Sequence, residues 1–198
     1  EMSASLVGSE MCIRDRDMVA PQGGNRLIDM TCKGFALETA SESPAPGGGS
    51  ISAYMGALAA ALGTMVANLS SHKPGWDERW EEFSNRAEEG QGYLKTLLAL
   101  VDEDTAAFNR IMDAFKLPKG TDEEKSARSA AIQDATLYAT EVPLRTMKAA
   151  FEVFPLVKAM AETGNPNSVS DAGVGALAAR SAVLGAYLNV KINAAGLK

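Results

Sequence analysis

The sequence has few of the residues that build metal sites, disulfide frameworks and nucleophilic triads. Its 198 residues include two cysteines, Cys12 and Cys32, and one histidine, His72. This set cannot form a Cys/His zinc site within one chain, and it provides no disulfide framework. A Ser-His-Asp triad would have to use His72, and no motif supports one. Because the N-terminus also lacks a basic segment followed by an apolar core, we predict a cytoplasmic protein without a metal site.

Positive charge is scarce as well. The chain has 19 Lys and Arg residues against 25 Asp and Glu residues, a net charge of -6. Nucleic acids and anionic membrane surfaces bind clusters of Lys and Arg, so we predict neither as a partner. Small molecules or other proteins are the predicted partners. A hydrophobic content of 46% is typical of one soluble domain with its own core.

The first residues have no pattern that connects them to the rest of the chain. The stretch LVGSEMCIRDR at 6–16 has neither helical nor strand periodicity. It is similar to one translated reading frame of a transposase-type sequencing adapter. We interpret residues 1–16 as an adapter-derived artefact, 17–26 as an N-terminal extension and 27–198 as the folded domain.

From Leu27 onward the sequence predicts helices and no sheet. No run of β-branched residues alternates with polar residues between turn signals. Helices are predicted over about 29–41, 50–71, 77–115 and 121–141, then to about 162, and from about 170 toward the C-terminus. Gly90 and Gly92 are predicted weak points or a bend, and Pro143 is predicted to break or kink its helix. We therefore predict an all-α protein, a single helical bundle with long antiparallel helices.

The stretch SISAYMGALAAALGTMVANLSS is uncharged and as long as a membrane span. Gly, Ala and Ser dominate it, whereas lipid-facing helices favour Leu, Ile and Phe. In a helical projection one side carries Ser52, Gly56, Ala59, Gly63, Ala67 and Ser70, and the other carries Met55, Leu58, Leu62, Met65 and Leu69. We predict a central helix of the bundle that is buried on all sides.

One acid interrupts the apolar stripe of the helix predicted over 77–115. In the motif LVDEDTAAF, Asp104 comes seven residues after Leu97, three after Val101 and four before Phe108. These spacings place Asp104 within the buried stripe. A carboxylate facing a core must be hydrogen-bonded, paired or protonated, and its desolvation raises its pKa toward values useful for proton transfer.

The two acids beside Asp104 are rotated away from it. Asp102 and Glu103 lie about 200° and 100° around the helix, and we predict that they face solvent. For Asp104 two interpretations stay open. It is either a functional proton carrier, or a structural anchor bonded to a helix cap or to an arginine such as Arg145 or Arg180.

The last predicted helix has a seam of small and polar residues. Its members are Asp171, Gly175, Ala178, Ala182, Gly185, Asn189 and Asn193. The small residues permit close helix packing, and Asp171 suits a helix N-terminus. Asn189 and Asn193 bring amide groups that need partners.

The motif PAPGGGS leads into the N-terminus of a helix. Gly47, Gly48, Gly49 and Ser50 would expose backbone N–H groups there, which suit a carboxylate or a phosphate. The nucleotide-binding patterns GxxxxGK[ST] and GxGxxG are absent from the sequence.

Several ordered motifs together resemble the cyclodeaminase/cyclohydrolase family. This family comprises the C-terminal domain of formiminotransferase-cyclodeaminase and stand-alone bacterial relatives, including methenyltetrahydrofolate cyclohydrolases. The motifs are SPAPGGGS, MVANLS, LVDEDTAAF, LPKGTDEEK, EVPL, SDAGVG and GAYLNVKIN. The resemblance covers about Leu27 to Lys198. It implies an all-α bundle, a homodimer or larger assembly, and a further helix beyond Lys198, so we expect the chain to be truncated there.

The resemblance also implies roles for particular residues. Asp104 matches the second Asp of the family motif VDxD, which is regarded as the catalytic proton carrier. Lys73 is the best match to a more basic stretch in relatives and is expected to bind the anionic folate tail. For the turn at 47–50 we hypothesise a bound carboxylate of the substrate.

Three further substrate contacts are hypotheses from chemistry. Asn189 and Asn193 would hold pterin or amide groups, and Asp171 would pair with pterin nitrogens.

The implied reaction converts 5-formiminotetrahydrofolate to 5,10-methenyltetrahydrofolate and ammonia by intramolecular cyclisation. It needs no cofactor beyond the tetrahydrofolate substrate. The first alternative is a methenyltetrahydrofolate cyclohydrolase, which forms 10-formyltetrahydrofolate. The second is a non-catalytic folate-binding or scaffold protein, in which Asp104 is only a buried polar anchor.

Overall fold

A computed structural model describes residues 26–197, and every regular element within them is helical. The α-helices are α1 (Cys32–Thr39), α2 (Gly48–Ser71), α3 (Trp80–Lys116), α4 (Asp122–Thr163) and α5 (Val169–Ala194). Short 3-10 helices cover Leu27–Asp29, Asp77–Arg79 and Pro166–Ser168. The predicted all-α class is confirmed. The interpretations of residues 1–16 and of almost all of 17–26 lie outside the described residues.

The four long helices form an antiparallel bundle. At one end Gly49 of α2 lies against Asp104 of α3, and toward the other end Thr64 of α2 lies against Gly90 of α3. Helices α4 and α5 also run in opposite directions, and α2 packs against all three of the others. The chain therefore goes up, down, up and down, and its buried apolar residues form two clusters along the bundle.

Small residues on one side of α2 let its neighbours approach closely. A Cβ atom at Gly63 would lie 2.9 Å from Cδ2 of Leu156, so only glycine fits there without a shift. The opposite side of α2 is not covered: Leu58 is 45%, Met65 38% and Leu69 47% exposed. The prediction that α2 is buried on all sides is wrong for this side, because no described helix packs on it.

Helix α5 exposes apolar residues as well. They are Val174, Leu177, Leu184, Tyr187, Leu188 and Ile192. By length and composition, both Gly48–Ser71 and Pro166–Ala194 are long and apolar enough to cross a membrane. The first is mostly buried within the bundle, whereas the second is mostly not. Since α2 and α5 are neighbours, we name their exposed apolar residues together the α2/α5 face.

Helix α4 continues without a break although Pro143 lies inside it. Proline has no N–H to donate to the carbonyl of Ala139, four residues earlier. The Nδ2 atom of Asn193 in α5 donates to that carbonyl instead, at 2.6 Å. The prediction of a helix break at Pro143 is wrong, since α4 continues through it and Asn193 bonds the carbonyl that the proline leaves without a donor; a kink there stays a prediction.

Helix α3 likewise continues without a break through Gly90. A Cβ atom there would overlap Oγ1 of Thr64 and lie 2.8 Å from Cδ2 of Leu156. Gly90 is therefore a position of close packing, and Gly92 also lies inside the continuous helix; a weak point or bend at either glycine stays a prediction. Helix α1 is shorter than predicted, because Oγ1 of Thr31 accepts the N–H of Gly34 and caps its start.

Candidate active site

A cavity of about 170 Å³ lies where α2 begins. Helix α3 extends beyond the cavity to Lys116, and α4 begins beyond the cavity and lines it at Ala139. Helix α2 starts only at the cavity, so it is absent from this end of the bundle. The loop before α2 takes its place and forms part of the wall through Pro44 and Ala45. The remaining wall comes from Gly47, Gly48, Gly49, Asp104, Thr105, Phe108, Ile111, Asn189 and Asn193.

The carboxylate of Asp104 lies on the N-terminus of α2. Its Oδ2 atom accepts a hydrogen bond from Oγ of Ser50 at 3.0 Å, and the backbone N–H of Ser50 also donates to the carboxylate. Helix α2 has no side-chain cap of its own, since its N-cap residue is Gly47. Asp104 thus satisfies a backbone donor that α2 leaves unpaired, and the helix dipole favours its negative charge.

Glycine permits this close approach. A Cβ atom at Gly49 would overlap Oδ1 of Asp104 and lie 2.5 Å from its Cγ. A Cβ atom at Gly48 would lie 3.2 Å from Nδ2 of Asn189. The predicted glycine-rich turn therefore receives side chains of α3 and α5, and the carboxylate seated on it is that of Asp104 itself.

Burial raises the pKa of Asp104 above its ordinary value. The side-chain and backbone hydrogen bonds from Ser50 oppose this effect without cancelling it. If Asp104 were a structural anchor, Arg145 was one expected partner, but Arg145 pairs with Glu103 instead. A carboxyl group with a raised pKa and an open side toward a cavity is suited to accept a proton and then return it.

The prediction that Asp102 and Glu103 face solvent is wrong, because both are half-buried. Oδ1 of Asp102 accepts the backbone N–H of Leu27 at 2.7 Å, and burial raises the pKa of Asp102. Oε1 of Glu103 accepts the hydroxyl of Tyr138 at 2.6 Å and also pairs with Arg145. Burial acts to raise the pKa of Glu103, but these bonds outweigh it and the pKa is lowered.

Both predicted asparagines reach the cavity. Nδ2 of Asn189 donates to the carbonyl of Gly185 at 2.9 Å, and Nδ2 of Asn193 donates to that of Ala139. Each amide is therefore fixed by a backbone carbonyl beside Asp104.

Asn193→Ala should lower the free energy of unfolding by about 1–3 kcal/mol, because it leaves the buried carbonyl of Ala139 without a donor. In a Pro143→Ala background the loss should be smaller, since the restored N–H serves the same carbonyl. Urea unfolding of the wild type, both single variants and the double variant measures this coupling. An equal loss in the two backgrounds would contradict the expectation.

Lys73 and Asp171 are not near this cavity in the described chain. Lys73 follows the far end of α2, whose 24 residues span about 36 Å, and Asp171 lies in the first turn of α5 at the same far end. Nζ of Lys73 lies 3.9 Å from the ring centroid of Trp76 and borders an open groove of about 710 Å³ together with His72. Substrate binding by Lys73 and Asp171 stays a prediction.

Thr105 was not among the predicted site residues. Its Oγ1 atom lies 3.3 Å from Oγ of Ser50, and it lines the cavity beside Asp104. The only available signal is its place directly after Asp104 in the motif LVDEDTAAF.

The bundle and the cavity define an all-α protein with a desolvated carboxylate at a helix N-terminus. Residues 31–198 match the family model of formiminotransferase-cyclodeaminase. The chain belongs to this family, which confirms the predicted resemblance.

Individual relatives agree with this assignment. A methenyltetrahydrofolate cyclohydrolase of Methylorubrum extorquens is 42% identical over 174 residues, which cover 88% of this chain and 82% of the relative. Formimidoyltransferase-cyclodeaminase of Mus musculus is 35% identical over 89% of this chain, which spans 33% of the mouse protein. The crystal structure of formiminotetrahydrofolate cyclodeaminase from Thermotoga maritima superposes with a TM-score of 0.75 at 28% identity, covering 86% of this chain and 81% of that one.

Proposed function

We propose that this protein is an enzyme that converts 5-formiminotetrahydrofolate to 5,10-methenyltetrahydrofolate and ammonia, with Asp104 as the proton carrier. The proposal depends above all on the position of the Asp104 carboxylate, which is desolvated, held by Ser50 and open to a cavity beside Asn189 and Asn193. The similar Thermotoga maritima structure is that of a protein named for this reaction.

The reaction needs one group that takes up a proton and later releases it. The formimino group on N5 reacts in its protonated form, so its nitrogen already carries two hydrogens and the positive charge. N10 of the folate attacks the formimino carbon and loses a proton, the nitrogen of the tetrahedral intermediate gains one, and ammonia leaves to give the methenyl cation. Asp104 acts first as a general base and then as a general acid. Because one carboxyl group can both take up and return this proton, we propose no cofactor beyond the folate substrate.

A second candidate function is favoured by the relative of 42% identity, which is named methenyltetrahydrofolate cyclohydrolase. In that reaction water attacks the methenyl carbon and the ring opens to 10-formyltetrahydrofolate. The same carboxylate would take the proton of the attacking water.

One assay separates the two functions. The purified protein is given 5-formiminotetrahydrofolate or 5,10-methenyltetrahydrofolate, and the methenyl absorbance is followed against a protein-free control. A cyclodeaminase makes the absorbance appear from the first substrate, and a cyclohydrolase speeds its loss from the second. Rates equal to the control with both substrates would refute both functions.

We further propose a cytoplasmic homodimer that joins through the α2/α5 face and binds neither membranes nor nucleic acids. This many exposed apolar residues on two neighbouring helices are typical of an interaction site, and the net charge is -6. Leu177→Glu should convert a species of twice the chain mass in sedimentation equilibrium to a monomer. The control Leu137→Glu changes an exposed leucine of α4 and should leave the dimer intact. A monomeric wild type would contradict the proposal.

A further inference from the structure

We infer that Ser50 is a positioning residue that holds Asp104 for proton transfer and does not bind the substrate. This inference rests on the proposed function, since it concerns the same carboxylate. The side chain of Ser50 is fully buried, with 0% exposed, and the neighbouring Gly48 and Gly49 form the cavity wall at this point. Its hydroxyl is engaged with Asp104 at 3.0 Å. A folate carboxylate in the cavity would therefore meet glycine backbone before it met this hydroxyl.

The hydrogen-bond directions around Ser50 follow from the donor inventory. An ionised carboxylate only accepts, so the single proton of the Ser50 hydroxyl goes to Oδ2 of Asp104. In the 3.3 Å contact between the two hydroxyls, Thr105 is then the donor and Ser50 the acceptor. The two hydroxyls form a chain in which each proton points toward the carboxylate, and such a chain strengthens its last bond.

These two hydroxyl hydrogen bonds matter because burial disfavours the charged form of Asp104. Burial raises the pKa of Asp104, and the Ser50 side chain provides the larger of the two opposing hydrogen bonds. Without that hydroxyl, the carboxyl group would stay protonated to a higher pH and would be unable to accept the N10 proton there. Ser50→Ala keeps the backbone N–H that also bonds Asp104, so this variant tests the hydroxyl alone.

The experiment measures kcat, KM and the pH profile of kcat for Ser50→Ala with the folate that the wild type uses. We expect the acid limb of the profile to move up by about 1 pH unit, so that kcat at a fixed pH on that limb falls about tenfold. KM should not change, because Ser50 does not touch the substrate. Thr105→Val should move the acid limb in the same direction by a smaller amount.

Ser52→Ala is the matched control. Ser52 lies on the same helix and is 1% exposed, but its hydroxyl donates to the carbonyl of Gly48 at 2.6 Å and not to Asp104. This variant removes an equally buried hydroxyl and should keep the wild-type pH profile. A raised KM with an unshifted profile in Ser50→Ala would overturn the inference and make Ser50 a substrate ligand.

A second measurement does not depend on turnover. The carboxyl carbons of aspartate are labelled with ¹³C, and the Asp104 signal is identified by its absence in Asp104→Asn. Its titration midpoint should rise by about 1 pH unit in Ser50→Ala and stay unchanged in Ser52→Ala. A midpoint that does not move refutes the inference. A shifted midpoint in a protein without folate activity supports the coupling of Ser50 to Asp104 and refutes only the proposed function.

Discussion

Asp104→Asn is expected to abolish turnover while the bundle stays folded. Asparagine has the shape of aspartate and still accepts a hydrogen bond from Ser50, but it cannot carry a proton. General acid–base catalysis contributes about 10²- to 10⁴-fold, so kcat should fall by that factor. The methenyl assay measures the loss, and circular dichroism with thermal unfolding checks the fold.

The stability of the same variant separates the proton carrier from the structural anchor. Because the pKa of Asp104 is raised above 3.8, the folded state binds more protons than the unfolded state between that value and the raised pKa. The free energy of unfolding therefore decreases as the pH rises through this window, and above it the charged carboxylate disfavours folding. Above this window the Asn variant should be at least as stable as the wild type. An inactive but clearly destabilised variant would favour the anchor, and an active one would exclude Asp104 as the proton carrier.

Gly49→Ala should impair both activity and stability. The added Cβ atom would overlap the Asp104 carboxylate, so either this side chain or the start of α2 must move. Overpacking costs about 1–3 kcal/mol, which exceeds the gain of about 1 kcal/mol from replacing glycine in a helix. A displacement of about 1 Å at a reacting group lowers kcat by about 10²-fold. Urea unfolding and the methenyl assay measure the two effects.

The control for this substitution lies on α3. A Cβ atom at Gly92 would meet nothing within 4 Å, so Gly92→Ala should raise the free energy of unfolding by about 0.5–1 kcal/mol and leave kcat unchanged. Wild-type kcat in Gly49→Ala would show that the enzyme tolerates a displaced Asp104, contrary to the proposed mechanism.

Helical periodicity was sufficient to find Asp104 but not its neighbours. The stripe on α3 is regular, so one projection places Asp104 toward α2. The same projection assigns Asp102 and Glu103 to solvent, because it contains no information about segments that pack on α3 from outside. Leu27 and Arg145 belong to such segments, and their contacts bury both acids.

The continuous α4 shows a similar limit. The rule that an internal proline breaks a helix considers only the backbone of that helix. The donor that replaces the Pro143 N–H comes from Asn193, which is distant in sequence and whose partner no pattern reveals. Local motifs likewise contain no information about the distance between elements. They therefore did not indicate that Lys73 lies a full helix length from Asp104.

The cavity wall has two parts with different tolerance to change. Asp104, Asn189 and Asn193 stand on long helices whose packing fixes them, whereas Pro44 and Ala45 belong to a loop. Loops accept insertions and deletions that a packed bundle does not. Changes in the loop before α2 can therefore alter the shape of the cavity wall while the Asp104 carboxylate and its contact with Ser50 stay in place.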